Sequence, residues 1–228
     1  MHTIVIIPAF NEGRQIGKTI TDLSRVVKKE DILVIDDGSS DDTCEQAKQS
    51  GVHVIRHIVN RGAGAATKTG MDYALHQLNA DAVVTFDADG QHYPEDIPQL
   101  VKPIAEEGVD MVIGSRFITW DHSAVPRSRR TGNYLANFLT FVFSGVWSTD
   151  SQSGFKAFSR RALEKIQIKS NTFEFCSEIF LEIKKHNLKF KEVPIKIKYS
   201  SYSLSKGQNS LKQGLKTLIK FIAAKYLK

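Results

Sequence analysis

The stretch VVTFDADGQHYPED, Val83 to Asp96, joins a run of apolar and β-branched residues directly to an acidic pair, Asp87-Ala88-Asp89, followed by Gly90 and Gln91. Such a run reads as a buried strand, and the polar residues after it as the strand end that meets solvent or a ligand. The same pattern recurs on either side. Thr3 to Pro8, Ile32 to Asp36, Val52 to Arg56, Ala82 to Asp87 and Met111 to Ser115 are strand-like and rich in Val and Ile. Helical patterns fill the intervals: Ile16 to Lys28, Asp41 to Gln49, Ala65 to Leu78 and Ile97 to Glu107. Ser40 is the expected N-cap before Asp41 and Asp42, and Gly51 and Gly108 stand where helices stop. Alternating strands and helices predict an α/β fold: a Rossmann-like, mostly parallel sheet with helices on both faces and a crevice at the strand C-termini.

Beyond Ser115 the texture changes. Asn133 to Val146 is an aromatic-rich helical segment, SGFKAFS and EVPIKIKY read as strands, and Phe173 to Lys185 and Gly214 to Leu227 read as helices. The 228 residues fit one domain, with a nucleotide-binding half over 1–116 and an acceptor-binding half over 117–228. With 41 % hydrophobic and 25 % charged residues the composition is that of a globular chain rather than a disordered one. Cys44 and Cys176 are too far apart in sequence to suggest a disulfide framework or a Cys-x-x-Cys metal site, and they fit a reducing, cytoplasmic setting. No stretch reaches the roughly 18–20 apolar residues of a membrane-spanning helix, and the N-terminus lacks a signal-peptide pattern.

Three of the expected strand ends carry polar chemistry: Pro8 to Glu12, Asp36 to Ser39, and Asp87 to Asp89. Any one reads as turn chemistry, but three on one edge of a parallel sheet read as a site. An Asp-x-Asp pair presents carboxylate oxygens to a hard divalent cation, and Mg²⁺ uses one or two such groups with waters and substrate phosphates completing its shell. RGAGAATKTG, by contrast, has Thr67 where a dinucleotide fingerprint needs its third glycine, and it follows the third strand. Its small-residue helix start, with Lys68 nearby, remains a candidate phosphate neighbour. The seven histidines show no metal-ligand spacing, and His92 alone adjoins a site motif. Phe173, Phe175 and Phe180 read as core.

In order, VIIPAFNE, VIDDGSSDDT, NRGAGAATKTGMDYA, VTFDADGQHYPEDI, IGSRF and DSQSGFKAFSRRAL resemble the motifs of inverting family 2 glycosyltransferases of GT-A fold. They look most like the polyprenyl-phosphate sugar synthases, such as dolichyl-phosphate mannose synthase, over roughly Thr3 to Lys206. That resemblance implies transfer of a sugar from a nucleoside diphosphate, GDP- or UDP-linked, to a polyprenyl phosphate on the cytoplasmic face of a membrane, with Mg²⁺ or Mn²⁺ as cofactor. It implies a nucleotide-sugar pocket of Pro8, Ala9, Glu12, Ile35 and Asp37, with Asp87, Ala88 and Asp89 holding nucleotide sugar and Asp87, Asp89 and Gln91 holding metal. Arg116 matches a residue that meets phosphate or leaving-group charge, and Arg130 one that meets the acceptor phosphate. The family's Arg-GxSK pattern is reduced here to Lys206 in SYSLSKGQNS, which leaves sugar and nucleobase open.

Asp150 has two readings, as the cap of the turn before SQSGF or as an acceptor-side carboxylate; the resemblance favours the second. An ionised lipid phosphate needs no strong general base, whereas a saccharide or protein hydroxyl needs one, and Asp150 is the candidate. The charge of +6 raises a nucleic-acid-binding alternative, but that leaves the acidic motifs unexplained, and no nucleic-acid partner is expected. Leu211, Leu215, Leu218, Ile219 and Ile222 recur at helical spacing beside Lys212, Lys216 and Lys220. That pattern suits either packing on the core or peripheral binding to an anionic membrane surface. Oligomeric state stays open.

Overall fold

The computed structural model describes residues 1–118, 125, 127–172 and 174–198. Lys206 and the expected C-terminal helix lie outside the described residues, as does Phe173.

Five strands run parallel where the apolar runs predict them: β1 (Thr3–Ala9), β2 (Ile32–Asp36), β3 (His53–Arg56), β4 (Ala82–Thr85) and β5 (Met111–Ser115). Between them lie α1 (Gly13–Leu23), α2 (Thr43–Gln49), α3 (Ala63–His76) and α4 (Ile97–Glu107). The second half adds α5 (Arg127–Ser144), β6 (Lys156–Ser159), α6 (Arg160–Lys165), α7 (Phe175–Lys185) and β7 (Phe190–Pro194). The sheet order is β3-β2-β1-β4-β6-β5-β7, with β6 antiparallel to both neighbours. Alternate residues of each strand feed two cores. Ile4, Ile6, Leu33 and Ile35 pack under α3 and α7, while Val5, Ile7, Val34 and Val84 pack against α1 and α4.

Several local expectations change. Helix α1 stops at Leu23 rather than Lys28: residues 24–26 continue as turns and Lys28 is already extended. Ser40 is not the cap of α2. Its N–H donates to Asn11 Oδ1 (2.9 Å), and Asp41 instead accepts the Thr43 N–H (3.1 Å) at the helix start. The last strand spans Phe190–Pro194 rather than all of EVPIKIKY; Ile197 makes only an isolated bridge to His92. Helix α6, not anticipated from the sequence, starts at SRRALEK, where the Ser159 hydroxyl accepts the Ala162 N–H at 3.1 Å.

The antiparallel β6 decides where the site lies. Lys156 pairs with Thr85 and Ile113, near the C-terminal ends of β4 and β5, so the chain leading into β6 reaches the same edge as Asp87 and Arg116. The segment from Asp150 to Phe155 thereby joins the crevice from the far side of the sequence.

Candidate active site

At the first strand ends, β1 and β2 are tied together by their loops. Pro8 is in register with Ile35 and Ala9 with Asp36, and the Asp37 N–H donates to the Ala9 carbonyl at 2.8 Å. Ser39 Oγ accepts the Asn11 N–H (2.9 Å), and Thr43 Oγ1 accepts that of Glu12 (2.8 Å). The expected pocket residues Pro8, Ala9 and Glu12 are therefore gathered at one edge. The Ile35 side chain is different: it lies in the core beneath Gly70, where an added Cβ would sit 2.7 Å from Ile35 Cδ1. Asp37 is buried and heavily used. Its carboxylate accepts the N–H groups of Arg61 (3.0 Å) and Gly62 (2.7 Å) and lies 2.7 Å from His57 Nδ1, whose Nε2 is 3.0 Å from Thr69 Oγ1.

That anchoring leads to the start of α3, where a phosphate was expected. The Gly64 and Ala65 N–H groups point at the Asn171 carbonyl, at 2.8 and 3.2 Å, so these two donors of the helix start are occupied by protein. A Cβ at Gly62 would collide with the Asn171 carbonyl and one at Gly64 with that of Ser170. The glycines serve close packing, and Gly62 also takes φ of 100°. Lys68 directs its ammonium to Asp72, 2.6 Å away, and lines a shallow depression with Leu163 and Lys169.

The acidic pair is built as the strand end suggests. Phe86 carries the last β4-side hydrogen bond, to the Ile6 carbonyl at 2.9 Å, and Asp87 and Asp89 follow on either side of buried Ala88. His92 Nε2 lies 3.1 Å from Asp87 Oδ2, with its ring packed between Phe86 and Phe155. Burial pushes the Asp87 carboxyl up, but the His92 hydrogen bond and charge, with Lys156 and Arg116, hold it below the usual carboxylate range. Asp89 goes the other way, to about 6, through burial and the repulsion of Asp87. Gln91 donates its backbone N–H to Asp89 Oδ1 (3.0 Å) and its side-chain amide to Oδ2. Gly154 lies so close that a Cβ there would run into the Asp87 carboxylate.

Two adjacent carboxylates whose mutual repulsion lifts one of them fit a divalent cation. The donors are hard oxygens, and rotation of the Gln91 amide would add a third. Among the described residues no group of three His, Cys, Asp or Glu side chains is arranged to hold a metal by itself. Such a pair needs further oxygens from water or a diphosphate.

Across the crevice Arg116 follows β5. Its Nε and Nη2 donate to the two oxygens of Asp150, both at 2.6 Å, and its backbone N–H reaches Asp150 Oδ2 at 3.1 Å. The Asp150 side chain is 0 % exposed and that of Arg116 15 %. Arg130, in the first turn of α5, donates Nε to the Val125 carbonyl at 2.8 Å. Sequence reasoning missed His57 and Asn137, and assigned Lys156 only to a strand. Lys156 is a fully buried lysine beside this group, with Nζ on the Ser153 carbonyl and 3.9 Å from Cys176 Sγ. A lysine within an apolar strand pattern was the available signal.

The description of glycosyl transferase family 2 matches residues 4–167. This chain belongs to that family. It is a glycosyltransferase with the GT-A fold. An uncharacterised protein of Methanocaldococcus jannaschii is 47 % identical over 224 residues, covering 97 % of this chain and 91 % of the relative. The UDP-N-acetylglucosamine–dolichyl-phosphate N-acetylglucosaminyltransferase of Methanococcus voltae is 37 % identical over 225 residues, 90 % of this chain and 89 % of the relative. Among solved structures, glucosyl-3-phosphoglycerate synthase of Mycobacterium tuberculosis superposes with a TM-score of 0.70 at 22 % identity, covering 96 % of this chain and 78 % of that one. At that identity the likeness bears on the fold; that synthase has also been solved with Mn²⁺ and UDP.

Proposed function

We propose that this glycosyltransferase moves a sugar from a uridine diphosphate to a polyprenyl phosphate, with inversion at the anomeric carbon. The observation that carries the acceptor is the Arg116–Asp150 pair. A general base must be within reach of a substrate proton and free to take it. Asp150 is fully buried and both its oxygens are occupied by Arg116. A phosphate oxygen brings its own negative charge, its second pKa being about 6 by analogy with phosphoserine, so attack requires no enzyme base. That pairing weighs against Asp150 as the base for a hydroxyl acceptor. The UDP preference rests on the Methanococcus voltae relative, whose name gives UDP-N-acetylglucosamine as donor and dolichyl phosphate as acceptor.

In this reading Asp87, Asp89 and Gln91 hold Mg²⁺ or Mn²⁺, which when bound offsets charge on the departing diphosphate. Pro8, Ala9 and Glu12 line the nucleoside side, and the Asp37 carboxylate acts by fixing the 57–62 loop rather than by reaching the base. Arg116 faces the diphosphate and the acceptor phosphate, with Arg130 on the acceptor side.

Helix α5 adds a surface suited to lipid. Its inner stripe is polar, with Asn133, Asn137, Thr140 and Ser144 buried, while Tyr134, Leu135, Phe138, Phe141 and Val142 face outward. A soluble helix normally does the reverse. Phe138 is 55 % exposed, Val142 57 % and nearby Trp147 55 %. No helix among the described residues is long and apolar enough to cross a membrane. An apolar helix face in the second half of the chain suits peripheral contact with the bilayer that holds the acceptor.

The test is nucleoside diphosphate release from UDP- and GDP-linked sugars with Mn²⁺ or Mg²⁺, comparing dolichyl phosphate with dolichol. UDP release that depends on the phosphate supports the proposal. Release that depends on a hydroxyl acceptor, or none with any lipid phosphate, overturns it.

A further inference from the structure

Asp150 sits in a loop whose few internal bonds, Asp150 N–H to Ser148 Oγ and Ser153 N–H to the Asp150 carbonyl, both at 3.1 Å, are supplemented from other elements. On its N-terminal side, the Thr149 N–H and the Ser148 hydroxyl donate to Glu192 of β7, at 3.0 and 2.7 Å, and Thr149 Oγ1 lies 2.6 Å from Ser115 Oγ. One side chain engages the backbone on both sides of Asp150. Asn137 Nδ2 donates to the Thr149 carbonyl at 2.7 Å, and Asn137 Oδ1 accepts the Ser151 N–H at 2.9 Å. The amide thus behaves as a short length of strand paired to residues 149–151. Asn137 is 1 % exposed and stands in the middle of α5, on the buried side opposite Phe138 and Val142.

We propose that Asn137 is a positioning residue. By clamping the peptides flanking Asp150, it fixes that carboxylate and, through the paired bonds at 2.6 Å, the direction of the Arg116 guanidinium. The chemistry supports the assignment. A planar guanidinium is oriented by a carboxylate only if the carboxylate is itself fixed, and bidentate pairing passes orientation as well as charge. A supporting hydrogen bond to a group that orients a functional side chain costs activity out of proportion to its distance from the reacting atoms. Other buried side chains on the same stripe engage at most one side of Asp150: Asn133 Nδ2 donates to the Thr149 carbonyl at 3.2 Å and Thr140 Oγ1 to Ser151 Oγ at 3.4 Å, while Ser144 bonds to Thr140 and Val146. The role in catalysis rests on the function proposed above; the clamp on Arg116 does not.

The test therefore has two readouts. In the full chain labelled with ¹⁵N, the Arg116 Nε–H signal, identified by its loss in Arg116→Lys, reports the pair directly. In Asn137→Ala its exchange with solvent should accelerate about tenfold or more, while Ser144→Ala, which also loses a buried hydrogen bond, should leave it within about twofold. In turnover, Asn137→Ala should lower kcat about 10- to 100-fold with KM for the sugar nucleotide little changed, and this loss should nearly vanish in an Asp150→Asn background, because residues acting through one another are not additive. Should Asn137→Ala fail to fold, Asn137→Asp keeps the acceptor for Ser151 and replaces the donor to Thr149, and the same acceleration is expected. Unchanged Arg116 exchange in a folded Asn137 variant overturns the proposal, as does a kinetic loss that simply adds to that of Asp150→Asn. If the wild-type chain transfers no sugar to lipid phosphate, the functional reading fails, and the exchange measurement still decides the clamp.

Discussion

At the residue scale, the two carboxylates of the β4 end are held in unlike states by their surroundings. Asp87 is kept ionised by His92, Lys156 and Arg116, whereas burial and Asp87 itself lift Asp89 to about 6. A raised carboxyl stabilises the fold most below its ordinary range and loses that contribution as pH rises through about 6, where Asp89 ionises beside Asp87. A bound cation reverses the preference. The rise in melting temperature produced by Mn²⁺ with UDP should thus be larger at about pH 7.5 than at about pH 5, since protons compete for the same oxygen ligands. Asp89→Ala should keep a wild-type circular dichroism spectrum yet lose transfer by about 10³-fold, the scale of several kcal/mol of charge stabilisation. Near wild-type turnover at saturating metal would remove Asp89 from the metal site. Asp150→Asn should behave differently, destabilising the chain by about 3–5 kcal/mol in denaturant titration, because it breaks a buried pair and strands Arg116. Its pH–rate profile on a lipid phosphate should keep the wild-type shape; loss of an acidic limb would restore Asp150 as a base.

At the element scale, what sequence could and could not reveal follows from how far apart the cooperating residues are. Strands β1, β2, β4 and β5 were legible because each is a buried apolar run ending in turn residues, so local pattern and tertiary burial agree, while β3 is a half-exposed edge strand marked only by Val54 and Ile55. The acidic pair was legible for the same reason. The antiparallel placement of β6 was not, since four residues of strand carry no mark of their direction, yet that direction brings Asp150 to Arg116. The locking of Asp150 and the burial of Asp37 were equally hidden, because their partners lie 34 and 20 to 25 positions away in the chain. In RGAGAATKTG small residues suggested a phosphate contact, whereas the segment 170–172 occupies the space. Gly64→Ala should accordingly destabilise by about 1–3 kcal/mol, the usual cost of forcing atoms into a packed site. Equal stability by thermal unfolding would mean the close approach is not required. For α5, Phe138→Ser with Val142→Ser should reduce co-sedimentation with anionic liposomes severalfold while barely moving the melting temperature, since both side chains are already in solvent. Unaltered liposome binding would remove this face from the membrane contact.

At the scale of the whole molecule, two groups of different charge face each other over one sheet edge. Carboxylates at the end of β4 suit a metal-bound diphosphate, and an arginine after β5, fixed from behind, suits anionic oxygen. Helix α5 turns an apolar face outward, and its inward polar stripe holds the loop that orients Arg116. A lipid phosphate matches both features: the chain for the helix, the charge for the arginine. The most direct measurement is the ³¹P NMR spectrum of polyprenyl phosphate incubated with the wild-type chain, UDP-N-acetylglucosamine and Mg²⁺, followed after metal removal. The lipid phosphomonoester signal should be replaced by a phosphodiester signal in step with UDP formation. UDP accumulating while the phosphomonoester persists would contradict transfer to the lipid phosphate.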